Sequence, residues 1–348
     1  MGKGIDKSNM LELLLDFPLQ CKTAQSLAGG ATVSIEKKNF SKIVFCGLGG
    51  SAIGADLVRS YLYFESKLPI IVCREYQLPA YADELTLVFI ASYSGNTEET
   101  VSAYQQAREK GANIIVLTSG GTLKEYAQKD KIDFIQIPAG LPPRNALGYL
   151  SIIPLCILTR LGLIKDLSSS IYQVVKTLED LKNNHLHPRI AVKDNISKYV
   201  AKKLLNKFTI VYSGSINFDV VATRFRGQLA ENSKALASSH VFPEMNHNEI
   251  VGWQNPKKLF KHFAVVMFKD KGLYPRVAKR MAITKELIEK EGVPVIEINS
   301  QGEDLLSRIF SLIYIGDFIS YYLALLYGID PTPVGKVTYL KNRLAQTN

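Results

Sequence analysis

Ile43-Val44-Phe45-Cys46 runs straight into Gly47-Leu48-Gly49-Gly50-Ser51, and no other stretch constrains the fold as much. Apolar residues in a row, without polar alternation, read as a strand buried on both faces, which belongs in a parallel sheet. Ser51 then opens a segment whose apolar residues Ile53, Leu57, Val58 and Leu62 recur at helical spacing. A buried strand, a glycine turn and a helix start bring backbone N–H groups and the positive end of a helix to one point, where a phosphate can sit. The stretch is not a P-loop, because no Gly-Lys-Ser/Thr follows, and its glycines miss the spacing of a dinucleotide fingerprint. Taken alone, it is equally compatible with a chain reversal that binds nothing.

Ahead of it, residues 8–28 pattern as a leading helix through Leu11, Leu13, Leu14, Leu15 and Phe17. Behind it, strands at Ile70–Cys73, Leu85–Ala91, Asn113–Leu117 and Phe134–Ile137 alternate with helical segments, which predicts a doubly wound parallel sheet. The strand through Ala91 ends in Ser92-Tyr93-Ser94-Gly95-Asn96-Thr97, and Glu98 and Glu99 follow in the first helical turn, where the macrodipole favours acid. Hydroxyls and N–H groups together can surround a phosphate without metal or lysine. The plainer alternative is that Ser94 or Thr97 caps the helix. Because loops at the carboxyl ends of such strands converge on one crevice, Ser51 and the hydroxyl loop are expected to share it.

Residues 145–200 are helical in pattern and connect two expected units, 1–153 and 154–348, with the junction near Pro154. The second unit repeats the plan: Phe208–Tyr212 runs into Ser213-Gly214-Ser215, a helix covers 218–236, and a loop passes through Met245 and His247. Strands at Phe263–Phe268 and Val293–Ile298 bracket another helix, and a long apolar helix ends at Leu326. Asp330-Pro331-Thr332-Pro333 then breaks the chain before a short helix containing Lys341. The expected class is therefore α/β, with two doubly wound parallel sheets flanked by helices, similar enough in plan to suggest a duplication.

The helix over Ile309–Leu326 is apolar enough to raise a membrane question, but Asp317 lies at its centre beside Gly316, and a buried core helix is expected. The net charge of +10 is spread along the chain rather than blocked, which suits an acidic small molecule and gives no specific sign of nucleic acid. Cys21, Cys46, Cys73 and Cys156 form no CxxC pair and read as buried thiols in a reducing compartment. No targeting signal is visible in MGKGIDKSNM, so a cytoplasmic protein is expected. His185 and His187 have no carboxylate or cysteine cluster beside them, and no metal or cofactor is expected.

GLGGSAIGAD and SYSGNTEET resemble the two signature loops of the sugar isomerase (SIS) domain, which binds phosphosugars. The resemblance continues through PRNALGY at 143–149, GQLAENSK at 227–234, PEMNHNE at 243–249, DPTPV at 330–334 and YLK at 339–341. In this order, over nearly the full length, the motifs are similar to those of the bifunctional phosphoglucose/phosphomannose isomerases, whose chains contain two SIS domains. The resemblance implies a metal-independent aldose–ketose isomerase acting on a phosphosugar. Gly50, Ser51, Ser92, Ser94 and Thr97 would hold the phosphate, Glu231 would shuttle the proton, and Arg144 would stabilise the enediolate. His247 would assist ring opening from the other subunit of a homodimer, Lys341, favoured over nearby Lys336 by its Tyr-Leu-Lys setting, would also help open the ring, and Thr332 would shape the sugar end. Without the motifs, Glu231 would read as a solvated helix residue, Arg144 as a loop arginine and His247 as a polar loop histidine. Departures from the family pattern are Leu48, where methionine is frequent, and Asn145, where alanine is frequent and which adjoins Arg144. The rival reading is a phosphosugar sensor, which would keep the serine loops without needing the base.

Overall fold

The computed structural model describes residues 4–35, 39–344 and 346. The chain opens with α1 (Met10–Leu15) and α2 (Phe17–Gly30). The single helix expected over 8–28 is thus two, divided at Asp16. Pro18 explains the division: proline lacks an N–H and is tolerated only in a first turn, so the helix restarts at Phe17 with Pro18 inside that turn.

The first sheet follows through β1 (Lys42–Cys46), α3 (Gly49–Leu62), β2 (Ile70–Cys73), β3 (Thr86–Ala91), α4 (Glu98–Glu109), β4 (Asn113–Thr118), α5 (Gly121–Asp130) and β5 (Asp133–Gln136). Its order is β2-β1-β3-β4-β5, parallel throughout. Every residue of β3 is buried, as an unbroken apolar run requires when helices cover both faces. A short 3₁₀ turn at Pro143–Asn145 leads into α6 (Leu147–Arg160), then α7 (Ser168–Leu181) and α8 (Ile196–Leu204). Pro154 lies inside α6, so a line drawn at 153/154 runs through one continuous helix.

The second sheet is built from β6 (Phe208–Gly214), α9 (Asp219–Asn232), β7 (Ala237–Phe242), β8 (Phe263–Lys269), α10 (Pro275–Lys290) and β9 (Val295–Asn299). Its order is β7-β6-β8-β9, again parallel. β7 was not expected. Its sequence, ASSHVF, is polar and only half-buried because it sits at the sheet edge and pairs with β6 alone, so it lacks the apolar run that betrays a central strand. α11 (Leu305–Leu326) and α12 (Gly335–Leu344) end the chain.

The two sheets share one core. α11 packs against α7, α8 and α9, while α2 packs against α6 and α7, and α1 reaches α11. Phe17, Phe310, Tyr314 and Phe318 are all buried in this shared cluster. Each such side chain, fully buried, contributes about 1.5–3 kcal/mol. α11 is long and apolar enough to cross a membrane, but 94% of its apolar window lies inside the fold. Its one carboxylate, Asp317, is answered there by a buried arginine, Arg224.

Candidate active site

β1 lies between β2 and β3, so the connections leaving its two sides run in opposite directions, and a crevice opens beyond the carboxyl ends of β1 and β3. The glycine loop and the hydroxyl loop meet there. A Cβ placed on Gly47 would lie 3.0 Å from the Ala91 carbonyl oxygen. One placed on Gly50 would lie 2.5 Å from the Pro143 carbonyl oxygen, so the first turn of α3 rests directly on the turn that carries Arg144. Only glycine permits that approach. Ser51 and Ser92 are buried, Thr97 half-buried and Ser94 exposed. Thr97 occupies the N-cap position of α4, yet its hydroxyl does not cap the helix; it pairs with Ser92 Oγ at 2.9 Å. Neither α3 nor α4 has a side-chain cap, so their first N–H groups, apart from those of Ser51 and Thr100 that donate to the Leu48 and Thr97 carbonyls, face the crevice.

A cleft of about 530 Å³ opens between the two sheets, with Gly49, Gly50, Arg144, Gln228 and Glu231 in its wall. Its lining holds five arginines and two carboxylates, and because Arg224 and Arg59 are paired with Asp317 and Asp219 just outside it, only a small positive excess remains. Arg144 is 4% exposed. Its Nε donates to Asn232 Oδ1 at 2.6 Å, and its Nη2 donates to the carbonyl oxygens of Pro331 at 3.0 Å and Thr332 at 2.9 Å. Nη1 faces Glu231 Oε2 at 3.4 Å. Burial pulls the Arg144 pKa below its ordinary value, and the neighbouring Glu231 works against that pull.

α9 explains how these groups assemble. Arg224, Gln228, Glu231 and Asn232 stand at i, i+4, i+7 and i+8, which is one helical face. Arg224 grips Asp317 of α11 through Nε at 3.1 Å and Nη2 at 2.7 Å, and Gln228 Nε2 adds a third bond to the same carboxylate at 3.0 Å. Arg224 Nη2 also donates to the Arg144 carbonyl at 3.0 Å, which ties the turn to the helix pair. Lys234 follows α9 in the left-handed region at φ 55°, and its Nζ donates to the carbonyls of Glu231, Asn232, Asp330 and Pro331. Burial lowers the Lys234 pKa, with Arg144 adding to the effect.

Arg224, Asn232 and Asp317 had no assigned role in the sequence reading. A signal existed: an aspartate at the middle of an apolar helix requires a buried cation facing it.

Of the expected site residues, Gly50, Arg144 and Glu231 line the cleft; Ser51, Ser92, Ser94 and Thr97 do not, although β3, which leads into the hydroxyl loop, meets the glycine loop at Ala91. His247 ends a 3₁₀ turn on the surface, and Lys341 stands on α12, whose residues are all exposed; neither lines the cleft of this chain. Thr332 offers Arg144 its backbone carbonyl, while its own Oγ1 is buried without a partner. Asn145 turns away from the site and donates to Met10 Sδ at 3.2 Å. Among the described residues, no three His, Cys, Asp or Glu side chains gather as a metal site would require.

Residues 35–134 match the SIS domain family, and residues 193–344 match the bacterial phospho-glucose isomerase C-terminal SIS domain. The chain is 48% identical over 338 residues, 97% of it and 99% of its relative, to the bifunctional phosphoglucose/phosphomannose isomerase of Caldicellulosiruptor bescii. The chain belongs to the bifunctional phosphoglucose/phosphomannose isomerase family. A second member of this family, from Aquifex aeolicus, is 36% identical over 306 residues, 88% of this chain and 91% of its own. The fold also superposes on a hypothetical protein from Thermus thermophilus with a TM-score of 0.76 at 14% identity, covering 99% of this chain and 92% of that one. The two parallel sheets, five- and four-stranded, are the SIS domains of the family.

Proposed function

We propose that the chain interconverts glucose 6-phosphate or mannose 6-phosphate with fructose 6-phosphate, without a metal, through an enediolate. The observation that carries this is the meeting of Arg144 and Glu231 at 3.4 Å in a cleft closed on one side by the first turn of α3. The sugar phosphate is held by Gly50, Ser51, Ser92, Ser94 and Thr97, where open N–H groups and hydroxyls supply donors. Glu231 takes the proton from C2 and returns it to C1, and reverses the path for the ketose. Arg144, fixed by the protein before substrate arrives, supplies positive charge where the enediolate oxygen develops its negative charge. Accepting both epimers requires rotation about C2–C3 in the intermediate, so that either face of C2 can meet the one carboxylate.

Ring opening falls to His247 and Lys341. The exposure of both in a single chain supports a homodimer in which His247 enters the site of the other copy. A cytoplasmic location and a division into units near the 153/154 line belong to the same proposal.

The test is a coupled assay of fructose 6-phosphate formation from each aldose phosphate separately, with EDTA present. Turnover of both supports the proposal, and turnover of glucose 6-phosphate alone narrows its substrate range. Binding of either without turnover would favour a sensor. Glu231→Gln is expected to lower kcat by about 100-fold or more, the usual contribution of a positioned base. Full activity in that variant would remove Glu231 from the mechanism.

A further inference from the structure

We infer that Asn232 is a positioning residue that decides which nitrogen of Arg144 faces the chemistry, an inference that rests on the roles of Arg144 and Glu231 proposed above. A guanidinium has five N–H donors in a rigid plane. Nε is engaged by Asn232 Oδ1 at 2.6 Å, and Nη2 by the two carbonyls of Pro331 and Thr332. Nη1 is left to serve the cleft, with Glu231 Oε2 at 3.4 Å and its other hydrogen open to a guest. Two edges of the plane are therefore locked by the protein and the third is presented to the reacting centre.

The Asn232 amide is itself held in one orientation. It is fully buried, its Nδ2 donates to Ser320 Oγ at 3.0 Å, and Ser320 Oγ donates to the Asp317 carbonyl at 2.7 Å. With its nitrogen committed to α11, the oxygen can only face Arg144. An amide also accepts this bond without adding a negative charge, so the cation is left for the enediolate. Glu231 and Asn232 are consecutive residues on α9. The base and the group that aims the cation are thus mounted on one rigid turn, and their separation is fixed by helix geometry.

Remove the acceptor, and Arg144 is free to pivot about its two remaining carbonyl partners, swinging Nη1 away from the substrate. A displacement of about 1 Å in such a group costs on the order of 100-fold in rate. Among the described residues the Asn232 side chain hydrogen-bonds only Arg144 and Ser320, neither in the phosphate loops, so binding is expected to change little.

The decisive experiment is a kinetic cycle on the full chain: parent, Asn232→Ala, Arg144→Ala and the double variant. Asn232→Ala is expected to lower kcat by about 30- to 100-fold, with KM within about threefold of the parent. In the Arg144→Ala background, the same substitution is expected to change kcat by less than about threefold, because a residue that acts through Arg144 has nothing left to aim. An equal loss in both backgrounds would make Asn232 merely structural, and a single variant within about twofold of the parent overturns the inference outright. Should Asn232→Ala not fold, Asn232→Ser carries the same test, since its smaller polar side chain ends one atom short of the Arg144 Nε contact. An inactive Glu231→Gln with an unimpaired Asn232→Ala would overturn this inference alone. A fully active Glu231→Gln would overturn the assignment beneath it.

Discussion

The two sheets share a winding order yet treat their crevices in opposite ways. β6 lies between β7 and β8 as β1 lies between β2 and β3, so each sheet has the same kind of opening beyond its carboxyl edge. At the first, Gly50 leaves room for Pro143 and Arg144, and the hydroxyls of Ser92 and Thr97 pair with one another while Ser92 Oγ also accepts from the Gly95 N–H at 3.2 Å. At the second, the Leu273 side chain sits over Gly214, with Cδ2 2.4 Å from where a Cβ would be. There Ser213 Oγ is spent on the carbonyls of Gly214 and Phe218, and Asp270 is tied to Arg308 and Ser300. Topology provides a crevice in both cases. What differs is what fills it: helix starts without side-chain caps beside a small hydroxyl cluster in one sheet, a leucine and a closed set of polar bonds in the other.

That contrast can be broken from either side. Gly50→Val would plug the first crevice much as Leu273 plugs the second. It is expected to lower kcat/KM at least about 100-fold, because Arg144 must move with the displaced turn, while circular dichroism still reports a folded chain. Kinetics within about threefold of the parent would mean that the phosphosugar sits elsewhere.

A matched pair of serines gives a smaller difference. Ser92→Ala removes a donor to a charged group and is expected to raise KM about tenfold, with kcat nearly unchanged. Ser213→Ala, at the end of β6, the central strand of the second sheet's crevice, is expected to leave both constants alone and to cost about 1 kcal/mol in urea unfolding. A kinetic effect of Ser213→Ala would show that the second crevice communicates with catalysis.

The smallest effect is expected from Leu273→Ala. The residue is only half-buried, so the loss is about 1–2 kcal/mol of stability, below the usual range for a core leucine, with no change in turnover. A gain of phosphosugar binding at the emptied crevice, read by calorimetry on a Gly50→Val background, would show that the plug alone separates the two sheets.

Much of this was legible in the chain. β1, β3, β4, β6 and β8 are apolar runs, and glycine-rich or hydroxyl-rich turns mark the ends of β1 and β3. Central strands in a parallel sheet have to look this way. β7 stayed hidden because an edge strand needs no such run. The glycine and hydroxyl loops were legible for the same local reason: a few consecutive residues make each one.

The polar spine behind Arg144 was not legible, since its contacts join residues far apart in the chain. Arg224 and Asp317 are 93 positions apart, and Arg144 and Asn232 are 88. No window of sequence contains both partners. The helical spacing of Arg224, Gln228, Glu231 and Asn232 was available, and it becomes informative only once Asp317 is known to face it. The motif resemblance pointed to Glu231 and Arg144 without saying what holds them. His247 and Lys341 show the converse, for their motifs are clear while the single chain leaves both on its surface.

Tyr314 of α11 donates to the carbonyl of Leu14 in α1 at 2.8 Å, and Phe17 stacks on Phe310 with centroids 5.9 Å apart. The bond joins positions 300 apart. On a ribosome adding about 5–20 residues each second, α1 therefore emerges roughly 15–60 s before the helix that covers it. For that interval α2 can pack on α6 and α7, but the apolar surface of the leading segment that α11 covers stays open. A message cut short before α11 would strand both sheets at once, because the helix that closes the second also seals the beginning of the first.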